Sequence, residues 1–114
     1  MALEATTSTV DGTATVRLVG EADAAGAGEL DAALAAVPAD RVRRLVLDLA
    51  GLTYLSSAGL RCLAFAHQRF GRAVEIVLVD APPQVAETIH LVGLHRSMVL
   101  EYRDAGDAAG RGTE

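Results

Sequence analysis

Polar and apolar residues alternate along Thr13-Ala14-Thr15-Val16-Arg17-Leu18-Val19, the period-two pattern of a strand with one buried face. A second β-prone run, Leu3 to Val10, precedes it, and Asp11-Gly12 between the two is a strong hairpin signal. Gly20 is expected to end the second strand. The period then changes. Leu30, Ala33, Leu34 and Val37 fall at i, i+3, i+4 and i+7, which predicts a helix N-capped by Asp23 and stopped by Pro38. Val42 to Leu49 reads as a strand whose continuous apolar centre, Leu45-Val46-Leu47, is expected to be covered on both faces. After a turn at Gly51, a second helix is predicted over Ser57 to Phe70. Leu60, Leu63, Ala64 and His67 should face inward, and Gly71 should cap its C-terminus. Val74 to Val79 is a further buried strand. Pro82-Pro83 opens a short helix carrying Val85, Ile89 and Val92 and closed by Gly93, and Met98 to Tyr102 is a short edge strand.

The order β-β-α-β-α-β-α-β predicts a single α/β domain with a mixed sheet of about four to five strands and helices on one side. The domain is expected to span residues 1–104. Residues 105–114 have no apolar periodicity and are expected to form a disordered tail. With two Phe, two Tyr and no Trp, the core must be built from Ala, Val and Leu.

Charge narrows the function classes. The net charge is −5, and the densest basic run, Arg41-Val42-Arg43-Arg44, is brief, so the footprint of a nucleic-acid binder is missing. Cys62 is the one cysteine, which excludes an intrachain disulfide and suits a reducing compartment. The opening MALEATTSTVDG lacks the basic and apolar regions of a secretory signal, and no apolar run is long enough for a bilayer. A cytoplasmic protein with no membrane association is expected.

Catalytic and metal-binding patterns are missing as well. Cys62 and His67 are five apart, as are His90 and His95, and neither pair shares a helical face; no CxxC or HExxH spacing occurs. Ser57 lacks a GxSxG context, and Glu21 and Asp23 are explained by capping and solvation at a strand end. Gly26-Ala27-Gly28 lacks the third glycine of a dinucleotide fingerprint, and no Walker loop is present. No enzyme activity, cofactor or metal is therefore expected.

One segment stands out. In Thr53-Tyr54-Leu55-Ser56-Ser57-Ala58-Gly59-Leu60, hydroxyl and small residues cluster where a buried strand turns into a helix. Taken alone, the pattern fits a serine N-cap and a glycine packed against the sheet. It also fits a modification site, because a phosphate on Ser57 would meet free backbone N–H groups and the positive end of the helix.

Three stretches carry a family resemblance. They are Leu18-Val19-Gly20-Glu21-Ala22-Asp23, then Val46-Leu47-Asp48-Leu49 with Tyr54 to Leu60, and Leu91-Val92-Gly93-Leu94. In this order and spacing the chain resembles the STAS domain, specifically the bacterial anti-sigma factor antagonists, over about Val10 to Tyr102. The resemblance implies a partner anti-sigma factor that is also a GHKL-type serine kinase, and a serine phosphatase that resets the cycle. It implies phosphorylation at Ser57, with Ser56 the lesser candidate. Ser56 stands where the family often has Asp, and Ala58 where it often has Ser. The partner surface so implied comprises Glu21, Asp23, Thr53, Tyr54, Ser56, Ser57, Ala58, Gly59, Leu60 and Arg61, on a monomer or weak dimer. Two other roles are open: a STAS docking subunit of another complex, such as a lipid ABC transporter, or a sensory module that binds a small ligand.

Overall fold

The computed structural model describes residues 2–103. Five strands and three helices alternate in the expected order: β1 (Glu4–Val10), β2 (Thr13–Ala22), α1 (Ala27–Ala35), β3 (Arg44–Leu55), α2 (Ser57–Phe70), β4 (Glu75–Val79), α3 (Pro83–Leu91) and β5 (Val99–Glu101). The sheet order is β1-β2-β3-β4-β5, with β1 antiparallel to β2 and every other pair parallel. This is the mixed α/β sheet that the sequence predicts. The expected domain limit at residue 104 and the tail beyond it lie outside the described residues.

The hairpin forms where it should. Asp11 and Gly12 both have positive φ, 51° and 81°, the pair of values a tight two-residue turn requires. One aliphatic core then joins Ala14, Val16 and Leu18 of β2, Leu45, Leu47 and Leu49 of β3, Leu78 of β4, and the inward residues of all three helices. The helices therefore share one face of the sheet.

Several boundaries move, for identifiable reasons. β2 does not stop at Gly20. Its pairing shifts register there, and Gly20, with φ 112°, lets the strand bulge and continue to Ala22. A side chain at this position would also collide with the Ala2 carbonyl. β3 likewise runs six residues past Leu49, because Gly51 to Leu55 pair with Val19 to Ala22. The turn expected at Gly51 is strand instead. Nor is β3 covered on both faces: Leu45, Leu47 and Leu49 are buried, whereas Val46 and Asp48 are half-buried. The strand with a continuous buried run is β4, where Ile76 to Val79 are all buried.

The helices show similar corrections. α1 starts at Ala27 rather than after Asp23, whose Oδ1 accepts from the Gly26 N–H at 2.7 Å and closes a turn ahead of the helix. α2 has the predicted limits, but its buried stripe is Gly59, Cys62, Leu63, Ala66 and Phe70, with Leu60, Ala64 and His67 only half-buried. α3 ends at Leu91, so Val92 leaves the inward stripe and is 55% exposed.

Candidate functional site

Parallel pairing of β2 with β3 joins two motifs that lie more than thirty residues apart. Glu21 pairs with Tyr54 and Ala22 with Leu55 at the carboxyl ends of the strands. The chain then turns directly into α2. Two hydroxyls tether this corner: Thr53 Oγ1 donates to the Gly20 carbonyl at 3.0 Å, and Ser56 Oγ donates to the Ala22 carbonyl at 2.7 Å. Ser56 is also the N-cap of α2, its Oγ accepting from the Gly59 N–H at 3.2 Å.

Ser57 differs from its neighbour. It is the first residue of α2, is exposed, and its hydroxyl has no partner among the described residues. Gly59, one turn into the helix, is buried against β2. A Cβ there would lie 2.7 Å from Leu55 Cδ1 and 3.1 Å from the Ala22 carbonyl oxygen. The missing side chain is what lets the helix start approach the strand ends so closely.

Beside Ser57 a cleft of about 290 Å³ opens between α2 and the turn after α3. Ser57, Leu60, Arg61, Ala64, Val92 and Leu94 line it. Close to these lining residues in the chain, Tyr54 is 52% exposed and Leu91, which precedes Val92, is 80% exposed. Arg61 is exposed and forms no ion pair among the described residues.

Not all the predicted residues converge here. Asp23 faces a separate depression shared with Leu3, Gly26 and Glu29, and Glu21 is half-buried at the end of β2. Ala58 and Arg61 line a second cleft toward α1, which also holds Gly28, Asp31 and Cys62. Burial pushes the Cys62 thiol above its ordinary range, and the nearby Asp31 charge adds to the rise against the opposing effect of Arg61.

Val92 and Leu94 are site residues that sequence reasoning missed. The available signal was Gly93, which adopts φ 81° and ends the helical periodicity. The same turn brings His90 and His95 together, ring centroids 4.2 Å apart, although their spacing puts them on no common helical face. His95 Nδ1 is buried without a partner, but among the described residues no group of three or more His, Cys, Asp or Glu could hold a metal. No described helix is long and apolar enough to cross a membrane.

The chain matches the family model described as "Mlab, STAS domain" over residues 5–101. Anti-sigma-F factor antagonist RsfB of Mycobacterium tuberculosis is 33% identical over 90 residues, covering 79% of this chain and 74% of RsfB. BtrV of Bordetella bronchiseptica, named as an anti-sigma factor antagonist, is 36% identical over 109 residues, 94% of either chain. The crystal structure of an anti-sigma factor antagonist from Mycobacterium paratuberculosis aligns at a TM-score of 0.80 and 33% identity, covering 94% of this chain and 91% of the other. These similarities, with the sheet order, establish that the chain belongs to the STAS domain family and resembles its bacterial anti-sigma factor antagonists.

Proposed function

We propose that this protein is an anti-sigma factor antagonist of the bacterial cytoplasm, which binds an anti-sigma factor through the α2 start and the adjoining cleft and so releases a sigma factor. Similarity to RsfB and BtrV supports the class of activity. The single observation that carries the site is the contrast between two adjacent serines: Ser56 is committed to capping, and Ser57 is exposed and uncommitted.

The partner is an anti-sigma factor with GHKL-type serine kinase activity, and Ser57 is the residue it phosphorylates. A phosphate adds about −1.5 to −2 charges and three acceptor oxygens. At the first position of α2 it meets unpaired N–H groups and the positive helix end, so the fold tolerates it. The neighbouring surface of Tyr54, Leu60 and Val92 does not remain equivalent, because a hydrated dianion now stands at the edge of an apolar contact. Phosphorylation thus releases the partner while the antagonist stays folded, and a serine phosphatase restores binding. Binding through a preformed surface also accounts for the function without a catalytic centre or cofactor.

The test is intact-mass measurement after incubation with a GHKL-type anti-sigma factor kinase from the same organism and ATP. The wild type should gain one phosphate, and Ser57→Ala none. Full labelling of Ser57→Ala would remove Ser57 from the account. Stable co-purification with an ATPase-permease complex instead of a kinase would favour the docking-subunit role.

A further inference from the structure

We propose that Arg61 is the internal counter-ion of a phosphate carried by Ser57, so that modification draws the guanidinium across the cleft and covers its apolar floor. This inference rests on the Ser57 switch proposed above and adds the means by which it acts. Ser57 and Arg61 are one turn apart on α2, at the i, i+4 spacing that places two side chains on one face. Both line the same cleft, whose remaining walls, Leu60, Ala64, Val92 and Leu94, are all apolar. Among the described residues Arg61 is thus the one charged group lining that cleft.

Arg61 is also uncommitted. Arg44 is held by Glu75 and Glu101, Arg103 by Asp48 and Asp80, and Arg69 donates to the Leu34 and Val37 carbonyls. Arg61 has no such tie among the described residues, yet it borders two clefts at once. On the α1 side it stands near Asp31, a single negative charge. On the other side it stands near Ser57, neutral until modified. A phosphate reverses that balance, since a dianion with three acceptors outcompetes one carboxylate and suits the planar guanidinium fork.

The consequence differs in sign from plain repulsion. If the phosphate acts only by its charge, removing Arg61 leaves more net negative charge on the surface and makes the modified form the poorer binder. If Arg61 closes over the cleft, removing it uncovers the floor and restores part of the lost binding.

A measurement that needs no partner decides whether the pair forms. Phosphoserine is installed at position 57 of the full chain during synthesis, and its second ionisation is followed by phosphorus NMR in the wild type and in Arg61→Gln. The helix end acts equally on both, so it drops out of the comparison. The wild-type value should lie about 0.3 of a pH unit or more below that of Arg61→Gln, and the gap should shrink in high salt. Arg61→Lys, which keeps the charge without the fork, should fall between them. Equal values in wild type and Arg61→Gln overturn the proposal. Because the phosphate is installed chemically, an inert Ser57 in the kinase assay would sink the switch without altering this result.

Discussion

Ser56 donates from its hydroxyl to the Ala22 carbonyl across 2.7 Å while accepting from the Gly59 N–H, so one side chain closes the helix start and ties it to the neighbouring strand end. The backbone N–H of Ser56 reaches the same carbonyl at 2.9 Å. Ser57, next along the chain, is thereby held at the surface with a hydroxyl that has no structural duty.

This division of labour predicts unequal outcomes for two alanine substitutions. Ser56→Ala loses the cap and leaves the Ala22 carbonyl with one donor fewer, and should cost about 1–2 kcal/mol of stability. Ser57→Ala should cost less than about 0.5 kcal/mol, as surface changes away from such features do. Urea denaturation of both variants checks the ordering. Ser57→Asp should be at least as stable as wild type, because an anion at this end of a helix is favourable by about 0.3–1 kcal/mol.

Gly59→Ala tests how closely the helix must approach. Alanine favours a helix interior by about 1 kcal/mol over glycine. Here its methyl group would meet Leu55 and the Ala22 backbone at 2.7 and 3.1 Å, and overpacking of this kind costs about 1–3 kcal/mol. The clash should win. A lower urea midpoint, with amide shifts spreading through Ala22 and residues 55 to 60, is the expected result; a higher midpoint would show that α2 can move away freely.

Acid should loosen the far end of the sheet. Burial is the largest single influence on the Asp80 carboxyl and disfavours its charged form, but the hydrogen bonds from the Arg103 N–H at 2.8 Å and its guanidinium at 2.7 Å, together with the Arg103 charge, outweigh this and hold it below the ordinary carboxylate range. A depressed carboxylate stabilises the fold above its unfolded value, near pH 3.9, and the contribution is lost as the pH falls through the lower folded value. Arg103→Ala should therefore move the Asp80 titration, followed by carboxyl carbon NMR, upward toward the ordinary value. At neutral pH it should also weaken protection of the β5 amides.

The Cys62 thiol should be sluggish. Its raised ionisation keeps it protonated at neutral pH, so alkylation by iodoacetamide at pH 7 should be slower than that of an unfolded control peptide. Rapid modification of the folded chain would contradict the buried placement between α1 and α2.

Much of the fold was legible because local chemistry and tertiary packing agree. Asp11-Gly12 suits only a tight turn, and the stretch from Ser57 to Gly71 carries a helix start, a periodic body and a glycine stop, so both were read correctly. Disagreements arise where a distant strand decides the outcome. Nothing local in Gly51-Leu52-Thr53-Tyr54-Leu55 says that β2 will bulge at Gly20 and continue beside it. The α2 stripe was misjudged at Leu60, Ala64 and His67, which are only half-buried, although the packing of Gly59 against the sheet was legible in the sequence. The cleft was illegible for a related reason: Val92 fits a helical stripe until Gly93 turns the chain out.

Calorimetric titration of the anti-sigma factor with this protein, unmodified and with phosphate on Ser57, tests the central claim most directly. The account predicts saturable one-to-one binding of the unmodified form and an affinity at least about tenfold lower for the phosphorylated form, or roughly 1.4 kcal/mol. Equal affinity of the two forms, each shown to be folded, would contradict it.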